Sequence, residues 1–398
     1  MSLTILFDLD DTLLQTNMGN FIPAYFKALG DHMAHLVPAG ALTNQLSKAV
    51  RAMENNRDPG KTLKSVFDQR FYGPLGGSEP AWRDVLEDFY RTTFPKLKPI
   101  TRKKPAAREL VQWCLSQGFT LAVTTNPLFP KTATHQRMAW AGLDPEDFLF
   151  VSSYEDFHFT KPHLAYYAEA LGRLGWPEGP VIMVGDNPTH DLEPVERLGY
   201  AAFWVNPQVQ DPDRPHGPLR AVQAYLKTIQ NREQTPPGLQ ERPEVWEAIL
   251  RSSPAVLAAW VGSLPQSAQR KRPAQHEWSL VEVFWHLADM EKEVALPQWE
   301  QLLTDPDQPL RPTNTEDWAE TRDYRSRDLQ PALEQFLHAR LESLDRIQEL
   351  QARDILEKTI RHPVFAGVKI RELVQFAARH DRIHLQQAGS LLDIYKNN

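Results

Sequence analysis

Residues 3–14 read LTILFDLDDTLL. Leu3 to Phe7 is a short apolar run rich in β-formers, the pattern of a strand buried on both faces of a parallel sheet. Asp8 and Asp10 follow at its carboxyl end. Similar runs recur at Phe119–Thr124, Phe148–Ser152, Val181–Val184 and Ala201–Val205. Amphipathic helical stretches fall between them, at Ala106–Gln117, Lys131–Ala141, His163–Leu174 and Leu192–Leu198. Strands alternating with helices predict an α/β fold with a doubly wound, Rossmann-like parallel sheet.

The strand-end residues carry chemistry. A carboxylate such as Asp8 is a nucleophile toward phosphorus that needs no deprotonation at neutral pH. Two carboxylates facing a phosphate dianion repel it, so a divalent cation and further acids are expected. VIMVGDNPTHD supplies Asp186 directly after a strand and a glycine, and Asp191 about a helical turn later. LAVTTN sets Thr124, Thr125 and Asn126 at a strand end as donors for phosphoryl oxygens. FTKPHLAYY sets Lys161 before a helix as a point charge for the same oxygens.

This order of motifs, over roughly residues 1–230, resembles the haloacid dehalogenase superfamily of phosphohydrolases. The resemblance implies a magnesium-dependent phosphatase that forms an aspartyl-phosphate on a small phosphorylated metabolite. It implies that Asp8 attacks and that Asp10 protonates the leaving group and then activates water. Thr125, with Asn126, binds the phosphoryl group; Lys161 neutralises it and orients Asp8. The implied magnesium set is Asp8, Asp10 (through its backbone carbonyl), Asp186 and Asp191, the last holding either Lys161 or a metal-bound water. Asp10 favours phosphate over carbon–halogen chemistry, because the dehalogenase branch lacks an acid there. Asp11 stands where many relatives carry glycine, and aspartate tolerates unusual backbone angles.

Between about Gln15 and Ile100 the alternation stops and the patterning is helical, as in FIPAYFKALGDHMAHL and WRDVLEDFYRTTF. The expectation is a helical cap over 17–100, inserted between core segments 1–16 and 101–230 and seated over the strand ends where α/β ligands bind. In the family, caps set the substrate. Arg51, Arg57, Lys61, Lys64, Arg70 and Arg83 are its cations. Solvation is the commoner role for any one of them, and contact with a second anionic group is the alternative. Phe21, Tyr25 and Phe26 read as cap core, and His32 and His35 as ordinary cap residues.

Proline clusters from Asn206 to Pro243, with Leu219–Ile229 as a last helix and 231–243 as a linker. Over 244–398 four helical stretches, near 244–262, 279–303, 328–352 and 369–395, predict an all-α four-helix bundle with no β-pattern. On the last, Leu373, Ala377, His380, His384, Ala388 and Leu391 share one apolar face. Histidines at i and i+4 can share a metal ion, and His286 on the second helix is the third candidate. The competing reading is that they are core histidines bonded to Asp289 or Asp381. WSLVEVFWHLAD and HPVFAGVKIRELVQFAARHDRIHLQQ are similar to DinB-like metal-binding bundles. That resemblance implies His286, His380 and His384 as ligands of zinc, nickel or a similar ion, which nitrogen donors alone do not distinguish. Its alternative for the whole chain is transferase or hydrolase chemistry in the bundle beside a vestigial or regulatory first domain. A homodimer through the bundle is a further expectation.

A net charge of -7 offers no bulk attraction to nucleic acid or membrane, and neither partner is expected. The first strand lacks the basic flank of a signal peptide, and a cytoplasmic location is the expectation. With one cysteine, Cys114, no intrachain disulfide can form; its apolar neighbourhood reads as a buried, inert thiol.

Overall fold

The computed structural model describes residues 2–76, 79–208, 213–230, 242–261, 265–364 and 366–396. The chain divides into two compact units. The first comprises Met1–Arg57, Lys61–Tyr166 and Glu178–Gly238; the second comprises Asp58–Gly60, Tyr167–Pro177 and Leu239–Asn398. The linker expected at 231–243 lies almost entirely outside the described residues.

In the first unit β1 (Thr4–Phe7) leads to β2 (Leu14–Gln15), then to α1 (Met18–Met33), α2 (Ala39–Glu54), α3 (Leu63–Phe71) and α4 (Glu79–Asp88). The chain returns through β3 (Arg102–Lys103), α5 (Pro105–Ser116), β4 (Thr120–Val123) and α6 (Lys131–Ala141). After α7 (Leu164–Arg173), which from Tyr167 onward belongs to the second unit, come β5 (Val181–Gly185), α8 (Glu193–Arg197), β6 (Ala201–Val205), β7 (His216–Gly217) and α9 (Val222–Ile229). The sheet is parallel, in the order β4-β1-β5-β6-β7. All four residues of β1 are buried, as its apolar run requires. Chain order reverses at β1, which has β4 on one side and β5 on the other. That switch point is where a doubly wound sheet opens a crevice for ligands.

Register builds the site. Phe7 lies opposite both Val123 and Val184. Asp8, Thr124 and Gly185, the next residue on each strand, therefore reach the same level. The ladder runs on into them: Asp8 N donates to Val184 O at 2.9 Å and Thr124 N to Phe7 O at 2.8 Å.

Two expectations change here. Phe148–Ser152 is not a full strand; it makes a single bridge, Val151 to Val123, although Leu149 N still reaches Leu121 O at 2.8 Å. It follows the sheet edge beyond β4 without settling into regular pairing. The cap insertion is bracketed by a small antiparallel ladder, Leu14 to Lys103 and Gln15 to Arg102, two residues long on each side. No periodicity can announce strands so short.

In the second unit, α10 (Pro243–Val261) and a short α11 (Gln266–Gln269) precede α12 (Leu280–Met290). Ser279 caps α12: its Oγ lies 2.6 Å from Glu282 Oε2 and its N–H donates to the same oxygen at 2.8 Å. One π-turn, Glu291–Ala295, carries α12 into α13 (Leu296–Thr304). α14 (Trp318–Thr321) and α15 (Leu329–Ala352) follow, and α16 (Ile370–Lys396) ends the unit. α10 and α12 each pack on both α15 and α16, which closes a four-helix bundle. It is not purely helical, however. β8 (Thr359–His362) and β9 (Ala366–Lys369) form a hairpin ahead of α16. His362 sits at the end of β8. Among the described residues no helix is long and apolar enough to cross a membrane.

Candidate functional site

The strand ends of the first unit bring the expected residues together. Lys161 Nζ donates to Asp8 Oδ1 at 2.8 Å and to Asp191 Oδ1 at 2.6 Å, and all three side chains are buried. Asp8, Asp186 and Asp191 offer carboxylate oxygens within 4.8 Å of one another. The second oxygen of Asp191 accepts from the Asn187 N–H at 3.0 Å, so this side chain holds the lysine and the loop at once. A Cβ on Gly185 would collide with the Asp191 carboxylate, which is why glycine precedes Asp186. Thr12 Oγ1 donates to Asp186 Oδ1 at 3.3 Å, and the Trp204 indole to the Asp186 carbonyl at 2.8 Å.

Thr125 is buried, and its carbonyl accepts from Ser152 Oγ and Tyr166 OH, each at 2.7 Å. Those two bonds lock the peptide that carries Asn126. Asn126 Oδ1 accepts from the Lys161 N–H at 3.3 Å. Asp11 adopts φ 60°, and its carboxylate caps the next loop by accepting from Thr16 N at 3.0 Å and Asn17 N at 2.8 Å. The carboxylate thus ties Asp11, at its positive φ, to the backbone five and six residues further on.

The carboxylate of Asp10 stands apart from the other acids. It accepts from Thr16 Oγ1 at 2.7 Å and from the guanidinium of Arg137, which is buried and lies 4.5 Å over the Phe129 ring. Sequence reasoning missed Arg137, because nothing in the pattern of α6 distinguishes it from a surface arginine. It missed Lys104 as well, whose Nζ donates to the carbonyls of Asp11 and Thr12. Burial lowers the Lys104 pKa, against the pull of Asp11, Asp186 and Asp8.

The electrostatics favour a cation. Burial raises Asp8 well above the carboxylate range; Asp191, Asp186 and Asp10 add to the rise, while Lys161 opposes it. Burial, then Asp191 and Asp11, raise Asp186 to about 6. Oxygen donors crowded in this way fit a hard divalent ion such as Mg²⁺. Cys114 is buried as expected, and burial pushes its thiol up to about 12.

In the second unit α12 presents His286, and α16 presents His380 and His384. His286 Nε2 and His380 Nε2 are 3.0 Å apart, and each of the three rings offers a nitrogen within 4.8 Å of the others. His384 Nδ1 lies 3.0 Å from Gln387 Oε1, and Trp278 stacks on the His384 ring. The acids proposed as histidine partners are engaged elsewhere. Asp289 accepts from Arg322, Tyr324 and Gln335, and Asp381 from Arg340. Burial, reinforced by the neighbouring histidines, pushes His286 down to about 2; burial, then His384 and Arg340, pushes His380 to about 3. Burial also lowers His384. Neutral imidazoles converging on one point fit a borderline metal ion such as zinc or nickel. A cavity of about 340 Å³ reaches His380, with Met290, Trp299, Val364 and Phe376 in its wall.

Two families of known proteins match separate stretches of the chain. Residues 3–199 match the haloacid dehalogenase-like hydrolase family, and residues 249–388 match the DinB superfamily. The chain joins a haloacid dehalogenase-like hydrolase domain to a DinB domain. The hydrolase domain is similar to a glyceraldehyde 3-phosphate phosphatase of Methanocaldococcus jannaschii, at 27% identity over 197 residues, 49% of this chain and 81% of the relative. A second enzyme of that name, from Methanothermobacter thermautotrophicus, is 24% identical over 213 residues, 53% of this chain and 89% of the relative. Among solved structures, a 2-haloacid dehalogenase of Pseudomonas syringae covers 57% of the chain and 99% of its own length, at 23% identity and TM-score 0.43. YfiT of Bacillus subtilis, described as a probable metal-dependent hydrolase with an unusual four-helix bundle topology, covers 42% of this chain and 92% of its own. It is 19% identical, with TM-score 0.36.

Proposed function

We propose that the hydrolase domain is a magnesium-dependent phosphomonoesterase working through an aspartyl-phosphate on Asp8. The carrying observation is the buried Lys161 ammonium shared between Asp8 and Asp191, with Asp186 beside them. Lysine presents one face of Asp8 and leaves its other oxygen for phosphorus. Asp8, Asp186 and the Asp10 carbonyl would hold Mg²⁺, with Asp191 as a further donor, and the ion would offset the repulsion between carboxylates and phosphate.

In the first step an Asp8 oxygen bonds to phosphorus, the phosphorus–oxygen bond to the alcohol breaks, and Asp10 gives the departing oxygen its proton. In the second, Asp10 takes a proton from water as the water attacks phosphorus. Inorganic phosphate leaves, and Asp8 is restored as a carboxylate. Thr125, Asn126 and Lys161 receive the phosphoryl oxygens. The relatives named as phosphatases support this reaction class. The test is release of inorganic phosphate from simple monoesters by the intact protein with Mg²⁺. Turnover should disappear with EDTA and in Asp8→Asn; wild-type turnover in Asp8→Asn would refute the mechanism.

A second reading assigns chemistry to the DinB domain as well. It rests on the cavity at His380, which would bring a substrate against a metal held by His286, His380 and His384. Hydrolysis dependent on zinc or nickel, lost in His380→Ala and retained in Asp8→Asn, is its test.

A further inference from the structure

A cavity of about 660 Å³ opens from Asp10 and Asn126 into the helices inserted after β1. That volume is on the scale of a drug-sized ligand and leaves a triose phosphate with most of the space unfilled. Its walls are aromatic and aliphatic: Tyr25, Phe26, Phe67, Tyr90, Phe129 and Tyr154 contribute rings, and Leu46, Val50 and Leu86 contribute aliphatic surface. Tyr25 and Phe26, expected in the cap core, line this space.

Several polar groups on the wall are engaged with the protein. Tyr25 and Tyr90 share a hydroxyl–hydroxyl bond of 2.9 Å. Lys64 pairs with Asp68. The Glu155 carboxylate takes the Lys131 N–H at 2.9 Å and 3.1 Å. Polyol hydroxyls seated against the rings and aliphatic side chains would go unpartnered, and burying an unpartnered hydroxyl is costly. The charges on the wall also lean one way. Asp10, Glu54, Glu87 and Glu155 outnumber Lys64 and Arg83, so a second anionic group would meet repulsion. Of the six cap cations singled out in the sequence, only these two reach the cavity.

We infer that the substrate is a phosphate monoester with a single anionic group and an apolar body of drug-like size, seated among the cap aromatics while its phosphate lies at Asp8. This inference rests on the phosphomonoesterase reading and narrows it. It departs from the short, hydroxylated substrate in the names of the two archaeal relatives.

The test is a series of primary alkyl monoesters, ethyl, butyl and hexyl phosphate, with glyceraldehyde 3-phosphate alongside. Their leaving groups are similar, so differences report on the body. With the intact protein and Mg²⁺, kcat/KM should rise by about fourfold per methylene, the equivalent of ~0.8 kcal/mol for burying each. Val50→Phe should shrink the cavity and lower the hexyl-to-ethyl ratio. Leu86→Phe, on another helix, guards against a folding defect in the first variant. If ethyl phosphate or glyceraldehyde 3-phosphate is turned over as well as hexyl phosphate, the inference fails and the phosphomonoesterase reading stands. If no ester in the series is hydrolysed, that reading fails and takes the inference with it.

Discussion

The guanidinium of Arg137, buried on α6, closes on the carboxylate of Asp10 at the mouth of the sheet. Asp10 is the group assigned to proton transfer, and Arg137 positions it jointly with Thr16. Arg137→Met should leave Asp10 held by the Thr16 hydroxyl alone and should lower kcat. The loss should be smaller than the ~10² to 10⁴ expected from Asp10→Asn, since the acid itself remains. Arg137→Lys should recover part of the rate by restoring the charge without the fork. A Met variant with wild-type kcat would show that the pair is structural only.

Asp10→Asn and Asp186→Ala should differ in kind. Asp10→Asn keeps the backbone carbonyl, so Mg²⁺ affinity should change little while kcat falls by about 10² to 10⁴. Asp186→Ala removes a carboxylate from the cluster it forms with Asp8 and Asp191, so the Mg²⁺ concentration for half-maximal rate should rise. Titrating Mg²⁺ against rate in both variants gives the comparison. Equal shifts in metal dependence would undo this division of roles.

The pH dependence of magnesium binding follows from two raised carboxyls. Asp8 is well above the ordinary carboxylate range, and Asp186 is at about 6. Without the ion the folded state holds these protons more tightly than the unfolded chain. Stability contributed by that difference is present at low pH and falls as pH climbs from ~4 through about 6. Mg²⁺ binds the deprotonated pair, so its stabilisation should grow over the same window. The rise in Tm with Mg²⁺ should be larger at pH 7.5 than at pH 5. An equal or larger rise at pH 5 would contradict the site.

The parts of this site legible in the sequence are those whose signal is local. Asp8, Thr125 and Asp186 each end an apolar strand, and the order of strands brings the three ends together. Arg137, Thr16 and Lys104 are illegible for the opposite reason. Each is an ordinary residue on a helix or loop, and only tertiary packing brings it to Asp10 or to the loop beside it. The β8–β9 hairpin was missed because Thr359–His362 and Ala366–Lys369 are four residues each and mostly exposed, without an alternating apolar face. The histidine face of α16 was readable because helical periodicity alone aligns His380 with His384. The pairing of Asp381 with Arg340 was not, because it joins residues on different helices.

That pairing has a stability consequence. Arg340 is buried in the bundle, donating to Asp381 Oδ1 at 3.0 Å, to Glu291 Oε2 at 2.6 Å and to the Leu250 carbonyl at 2.8 Å. Burial alone would lower its pKa; Asp381 and Glu291 more than offset this and hold it raised. Arg340→Met would leave two buried carboxylates without their counter-charge, a loss of roughly 3–5 kcal/mol. The bundle's melting transition, followed by circular dichroism, should fall sharply. Arg346→Met, whose partly exposed Arg346 lies 3.9 Å from Glu300, should change it little. A small loss in Arg340→Met would mean that water reaches and solvates the acids.

The three histidines make the last prediction. His286, at about 2, and His380, at about 3, are neutral in the fold, and His384 is lowered too. In the unfolded chain an imidazole titrates near ~6.5. As pH falls below that value the unfolded state gains protons that the folded state refuses. The metal-free bundle should therefore lose stability from about pH 6.5 downward, and the loss should continue toward pH 3. A bound ion uses the same lone pairs, so protons compete with it over the same range. Three neutral nitrogens would not cancel a divalent charge, so water, hydroxide or a substrate anion would be needed to complete the ion's ligands, and the cavity at His380 would admit one. Protein purified without a His-tag should carry about one zinc, nickel or similar ion per chain. Replacing all three histidines with alanine should remove it and flatten the acid loss of stability together. A triple variant with unchanged metal content would place the ion elsewhere, and one with an unchanged pH profile would mean that other groups set the acid limb.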